Sequence, residues 1–322
     1  MRTPYPLISA RRQGWLDVGD GHEIHYEEAG PIDGLPVVFL HGGPGSGCKP
    51  SHRQFFDPAA WRSVLLDQRG SGLSRPFGCC EANTTAHLVD DLERLREHLG
   101  IPAWVLFAGS WGAALGLAYA QRHPGRVLGM VLRGSFLARP VDLSWFLADG
   151  AGRMLPAAWQ RLLDELALGA DAEPTTLIET LHTRLFGSSP DAALAAARAW
   201  NRWSGEVVAY SMDVALEEPE PPADVVVGKA RIELHYARNR YFLAPNELLL
   251  NVGRLPRVPV VILHGQRDLT CTPEAGWSLH RAVPGSTLEV LRTAGHLSGE
   301  PLMTDALLRA TDAMRDRLRD HA

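Results

Sequence analysis

Cysteine is scarce, with four residues in 322: Cys48, Cys79, Cys80 and Cys271. None shows the paired spacing of a zinc site, and adjacent Cys79 and Cys80 make a poor chelate because neighbouring side chains point apart. Free thiols in a reducing compartment are the expectation. Long apolar runs are missing as well. No stretch approaches the roughly 18 apolar residues needed to span a bilayer, and residues 1–13 carry early arginines without the apolar core of a signal peptide. A cytoplasmic chain with no membrane partner is therefore expected. A basic stripe with interleaved aromatics is also missing and the formal net charge is −5, so no nucleic-acid partner is expected. No internal repeat or low-complexity tract stands out. What remains is an ordinary globular composition, 45% hydrophobic and 21% charged. It is long enough for one large α/β domain or a core carrying an insertion.

Short apolar runs alternate with helical patterns. Residues 15–29 alternate loosely around Gly19-Asp20-Gly21, a hairpin signal. Buried strands are predicted at 36–40, 63–66, 105–108, 126–132, 258–264 and 287–291. A helix is predicted over 85–99, where Leu88, Leu92, Leu95 and Leu99 recur at helical spacing. Asn83, Thr84 and Thr85 can cap it, and Gly100 and Pro102 stop it. Further helices are expected at 112–122, 273–283 and 302–318. This β-α-β alternation implies a mostly parallel sheet. In the polar loop after 63–66, Asp67 and Arg69 are expected to pair with each other, with no chemical role.

From 136 to 254 the pattern changes. No core-type strand is visible, and helices are expected at 145–147, 159–168, 176–186, 191–203, 225–241 and 248–252, with an acidic, proline-rich break at 217–222. The organisation read from this is a core of residues 1–135 and 255–322 with a helical cap of residues 136–254 inserted in it. Trp145, Trp159, Trp200 and Trp203 lie in the cap, and Trp111 lies beside a sharp turn of the core. They suit either an apolar cleft or ordinary helix packing.

That sharp turn carries the chemistry. The strand at 105–108 and the helix at 112–122 leave only Gly109-Ser110-Trp111-Gly112 to join them. A serine on a strand-turn-helix corner is the nucleophile elbow of the α/β-hydrolase pattern, although Ala108 stands where that pattern has its first glycine. Ser110, Asp268 and His296 occur in the order serine, acid, histidine, and each follows a predicted core strand. All three then lie at the carboxyl edge of the sheet, where open α/β sheets bind ligands. The serine would attack a carbonyl, the imidazole would accept its proton, and the carboxylate would hold the imidazole in one tautomer. His41 and His264 also end strands, and Asp67 is a second acid at a strand end; these are the rivals. The glycine-rich loop His41-Gly42-Gly43-Pro44-Gly45 lacks the lysine-serine spacing of a phosphate loop. It suits an oxyanion site, with N–H groups from Gly43 and Trp111. No metal or organic cofactor is required. The expected fold is the α/β-hydrolase fold, a mostly parallel sheet flanked by helices.

The chain resembles the proline iminopeptidases, serine aminopeptidases that remove N-terminal proline from peptides. The resemblance is carried by His41-Gly42-Gly43-Pro44-Gly45, Asp67-Gln68-Arg69-Gly70-Ser71-Gly72, Asn83-Thr84-Thr85, Gly109-Ser110-Trp111-Gly112, Ala199-Trp200, Ala230-Arg231-Ile232-Glu233 with His235-Tyr236, and Gly295-His296. It implies the same Ser110, Asp268 and His296, the same oxyanion donors, and a small peptide substrate with a free N-terminus. It also implies that Glu233 binds the substrate amine. The alternative for Glu233 is a solvated helical acid paired with Arg231 or Arg238. A second amine-binding glutamate is expected after Trp203, where this chain has Ser204. Glu206 is two positions on, about 200° around a regular helix, and would face away. An esterase or amidase without amine specificity, and a non-catalytic binding protein on the same scaffold, are the competing readings.

Overall fold

The computed structural model describes residues 1–147, 150–212 and 221–320. Eight strands form one sheet: β1 (Arg12–Gly19), β2 (His22–Ala29), β3 (Leu35–Leu40), β4 (Trp61–Leu66), β5 (Trp104–Gly109), β6 (Val127–Arg133), β7 (Val260–Gly265) and β8 (Thr287–Leu291). Their spatial order is β1-β2-β4-β3-β5-β6-β7-β8. β1 and β2 form the hairpin expected around Gly19 to Gly21, and β2 pairs antiparallel with β4; every other pairing is parallel. The chain runs outward from β3 to β4, then crosses back to β5 on the other side of β3. Such a reversal opens a crevice at the strands' carboxyl ends.

Alternation along β3 shows why the sheet is covered on both faces. Val38 and Leu40 enter one hydrophobic cluster, while Val37 and Phe39 enter another. The first cluster is closed by helices α1 (Thr85–His98) and α2 (Trp111–Arg122). The second is closed largely by the C-terminal helix Pro301–Arg319, through Met303, Ala306, Leu307, Ala310 and Met314. Every residue of β4 and β5 is buried, as parallel strands between two helical layers must be. Thr84 caps α1 by accepting from the His87 N–H.

Between β6 and β7 the described residues contain no strand. They form α3 (Pro140–Leu147), α4 (Ala151–Met154), α5 (Pro156–Leu166), α6 (Pro174–Phe186), α7 (Pro190–Val208), α8 (Ala223–Arg238) and α9 (Glu247–Leu250). α8 ends earlier than its sequence pattern suggests because Arg240, Tyr241 and Phe242 adopt left-handed φ values of 51°, 55° and 53°. Helices α3 to α8 share their own cluster, which includes Leu162, Leu177, Leu181, Trp200 and Trp203, whereas Leu248 of α9 joins the first cluster of the sheet. The tryptophans pack helices: Trp159 lies 5.0 Å from Trp203, and Phe146 lies 5.7 Å from Trp200, ring to ring. The acidic break at 217–222 falls mostly outside the described residues. After β7 come α10 (Pro273–Ala282) and, after β8, α11 (Pro301–Arg319).

The expected pairing of Asp67 with Arg69 does not form. Arg69 reaches the buried Asp91 on α1 at 2.7 Å and also contacts Asp20. Asp67 instead accepts from the N–H groups of Cys48 and Leu73 and lies 3.2 Å from His25. The carboxylate is already occupied by loop donors, so the guanidinium finds its partner across the helix.

Candidate active site

Ser110 sits between β5 and α2 with φ 58° and ψ −127°. That positive φ is uncommon for a non-glycine residue and marks a sharp corner. Its neighbours have no room for side chains. A Cβ on Gly109 would lie 2.3 Å from the Arg133 guanidinium, and one on Gly112 would lie 2.1 Å from the Leu40 carbonyl oxygen. Ala108, in contrast, is accommodated. It faces Gly116 one turn into α2, where even an added Cβ would stand 3.6 Å away.

The structure brings Asp268 and His296 together. Asp268 lies in the loop after β7 and His296 in the loop after β8, and the His296 Nδ1 is 2.8 Å from the Asp268 Oδ2. The second carboxylate oxygen accepts from the N–H groups of Thr270 and Cys271 at 3.0 and 2.9 Å. Burial pushes the Asp268 carboxyl up, but the imidazole and these donors outweigh it and hold it below the ordinary range. With Nδ1–H donating to a carboxylate, Nε2 is left as the acceptor. Gly134 forms the floor of this pair: a Cβ there would lie 3.0 Å from Asp268 Oδ2 and 3.3 Å from His296 Nδ1. The Ser110 hydroxyl lies beside the Cys271 thiol, so the serine corner and the acid loop meet. Burial, with the charges of Asp268 and Asp142, pushes that thiol well up. It is a poor nucleophile there.

The rivals have other roles. His264 is fully buried, and its Nε2 is 2.8 Å from the Cys271 carbonyl, so that nitrogen donates and Nδ1 faces Gly276. His41 donates from Nδ1 to the Gly42 carbonyl and accepts at Nε2 from the Gln68 N–H. Burial lowers the basicity of both rings. Asp67 is committed to the loop donors described above.

The candidate oxyanion donors flank Ser110. Trp111 opens α2, where the first N–H groups have no intrahelical acceptor, and the Ser110 side chain caps none of them. Gly42 turns its backbone to the serine, since a Cβ there would lie 3.1 Å from the Ser110 Cβ. Gly43 follows with φ 108°, a conformation suited to glycine.

Glu233 on α8 is mostly buried, and its carboxylate accepts from the Trp200 indole at 2.6 Å with Lys229 at 3.7 Å. Neither arginine considered from the sequence pairs with it: Arg231 donates to the Leu185 carbonyl and Arg238 to Glu179. Tyr241 is pushed up by burial first and then by the charges of Glu233 and Cys271, and its ring packs 5.3 Å from that of Trp111 at the serine corner. Ser204 donates to the Asn201 carbonyl, and Glu206 turns to the surface to meet Arg161. Among the described residues, no group of three or more His, Cys, Asp or Glu side chains is placed to hold a metal ion. No helix among them is long and apolar enough to cross a membrane.

Three further side chains shape the site: Arg133 and Glu300 carried no sequence signal of their own, and Gln68 stood in the motif Asp67 to Gly72 without an assigned role. Arg133, at the end of β6, donates to the His296 carbonyl at 2.5 Å. Glu300 accepts from the N–H groups of Gly295 and Leu297, on either side of His296, at 2.8 and 3.0 Å. Gln68 bonds to both His41 and Trp111.

A sheet of this order, with a serine corner after β5 and an acid–histidine pair after β7 and β8, defines an α/β hydrolase. Residues 36–300 match the α/β hydrolase fold family. Within it, the chain belongs to the proline iminopeptidase family. It is 42% identical over 313 residues to the probable proline iminopeptidase of Leptolyngbya boryana, covering 97% of each chain. It is also 42% identical over 313 residues to the proline iminopeptidase of Xanthomonas citri, covering 97% of this chain and 99% of the relative. Among solved structures, the proline iminopeptidase of Mycobacterium smegmatis shares the fold with TM-score 0.63 and 18% identity, over 97% of this chain and all (100%) of that one.

Proposed function

We propose that this protein is a serine aminopeptidase that releases N-terminal proline, or another small residue, from small peptides through an acyl-enzyme on Ser110. The observation that carries the reading is the Asp268–His296 hydrogen bond of 2.8 Å at the same sheet edge as a serine in strained backbone. His296 Nε2 takes the Ser110 proton as the oxygen attacks the substrate carbonyl. Asp268 fixes the tautomer and stabilises the imidazolium. The N–H groups of Gly43 and Trp111 receive the developing oxyanion, aided by the positive end of α2. The collapsing intermediate breaks the scissile C–N bond, and His296 returns the proton to the leaving amine. Water, deprotonated by His296, then releases the acyl group by the same route.

In this reading residues 136–254 form a cap over the core, and Glu233 binds the substrate's free amine. Its carboxylate is supported in this by its mostly buried setting and by Trp200, which orients it. A cytoplasmic location belongs to the proposal, supported by four cysteines that are all free. One observation favours a second reading. Ser204 offers a hydroxyl where a second glutamate is expected, so an esterase or amidase with relaxed amine specificity is the alternative.

The test uses proline-β-naphthylamide and its N-acetylated form. The wild type should cleave the first and refuse the second. Ser110→Ala should lower turnover by at least about 10⁴-fold, and Glu233→Gln should raise KM. Cleavage of p-nitrophenyl acetate without cleavage of the naphthylamide selects the alternative. No hydrolysis, with no organophosphate labelling of Ser110, leaves only a binding protein.

A further inference from the structure

We propose that Gln68 is a positioning residue that holds the two halves of the oxyanion site in register; this rests on the function argued above. The two donors belong to different elements. Gly43 lies in the glycine-rich loop after β3, and Trp111 opens α2 after β5. Gln68, in the loop after β4, spans them. Its side-chain amide donates to the His41 carbonyl at 2.9 Å. Its side-chain carbonyl accepts from the Trp111 indole N–H at 2.9 Å. Its own backbone N–H donates to the His41 ring at 3.1 Å.

All three residues are almost completely buried, at 3% exposure for Gln68, 2% for His41 and 1% for Trp111. Burial shields these bonds from bulk water. Tyr236 and Tyr241 pack against the indole, with ring centres 5.1 and 5.3 Å away. Trp111 is thus held by the amide and by two tyrosine rings, and the His41 peptide two residues before Gly43 is pinned to the same amide. Glutamine is the side chain this place requires, because one end must donate and the other accept. A carboxylate would present an acceptor to the His41 carbonyl. An oxyanion site gains its effect from donors that are in place before charge develops. The bridge should therefore matter in the transition state and little in substrate binding.

Gln68→Glu keeps the acceptor for the indole and loses the donor to His41; Gln68→Met loses both. Trp111→Phe removes the same bond from the other end and serves if either glutamine variant fails to fold. The expected result with proline-β-naphthylamide is a fall in kcat of about 10–100-fold, with KM changed less than about 3-fold. The boronic-acid analogue of proline, which forms a tetrahedral adduct with a serine, should lose affinity in step with kcat/KM, whereas free proline should not. Thermal melts identify the folded variants. Unchanged kcat in folded variants, or equal weakening of boronate and proline, overturns the role of Gln68 while the function stands. A wild type that neither cleaves the naphthylamide nor binds the boronate overturns the function and the role of Gln68 together.

Discussion

Asp67 takes no part in the proposed reaction, yet its carboxylate organises the loop that faces it. It accepts from the N–H groups of Cys48 and Leu73 and lies against His25. Gly72 passes so close that a Cβ there would stand 2.4 Å from the Asp67 carboxyl carbon. Burial pushes this group up, but the His25 hydrogen bond and the two N–H donors outweigh it, so it is held below its ordinary value of 3.8. The sign follows from proton linkage. A carboxyl whose folded value is depressed adds stability that is complete above its ordinary value and is lost as pH falls through the folded one. Asn offers one acceptor and a misplaced donor, which leaves a buried N–H orphaned. Asp67→Asn should destabilise by about 1–3 kcal/mol at pH 7. Urea titrations between pH 7 and pH 3 check this: the penalty should hold to about pH 4 and shrink below it. A penalty that grows on acidification contradicts the assignment.

The elbow illustrates the same physics for a strand and a helix together. Gly112 lets α2 start against the Leu40 and His41 carbonyls, and a Cβ would meet them at 2.1 and 2.9 Å. Gly112→Ala should therefore lower stability by about 1–3 kcal/mol or more and displace Ser110, abolishing its labelling by an organophosphate. Ala108→Gly, which creates the usual elbow sequence, should instead leave kcat/KM unchanged. It should lower stability by about 0.5–1 kcal/mol because glycine loosens a strand. Melting curves and labelling of the two variants decide whether the elbow needs glycine at 112 and tolerates alanine at 108. The sequence showed these elements because β4 and β5 are buried on both faces, which produces the short apolar runs at 63–66 and 105–108, and because each candidate catalytic residue lies within five residues after a strand. It did not show what Gln68 or Arg133 would contact. Gln68 acts on partners 27 and 43 residues away, and Arg133 on one 163 residues away, and no local pattern encodes such a distance. Asp67 and Arg69 misled for the related reason that opposite charges two positions apart found better partners in other elements.

At the scale of the molecule, the helices between β6 and β7 are joined to the sheet edge that carries Ser110, Asp268 and His296. Several ties cross between them. Arg139, just before α3, bonds to Glu274 on α10 at 2.6 Å, and the Trp145 indole on α3 donates to the Leu269 carbonyl at 2.8 Å. Tyr236 on α8 donates to the Asn83 side chain at 2.9 Å. One tie ends at the histidine loop itself. Ser211, just beyond α7, donates to Glu300 at 3.0 Å, onto the same oxygen that accepts from the Gly295 N–H. The contact is close: a Cβ on Gly295 would lie 2.0 Å from the Ser211 hydroxyl. Glu300 therefore connects the inserted helices to both peptides around His296. Its loss should loosen the imidazole for every substrate, so Glu300→Ala should lower kcat for proline-β-naphthylamide and p-nitrophenyl acetate alike. Ser211→Ala leaves Glu300 with both loop N–H groups and removes only the link to the helices. It should raise KM for the naphthylamide about 10–100-fold, consistent with one lost hydrogen bond to a charged group, and leave the small ester unaffected. Ser211→Thr keeps the hydroxyl and should restore the wild-type KM. Equal losses on both substrates in Ser211→Ala would show that the hydroxyl serves the histidine loop directly, and that the helices reach the chemistry by the other ties.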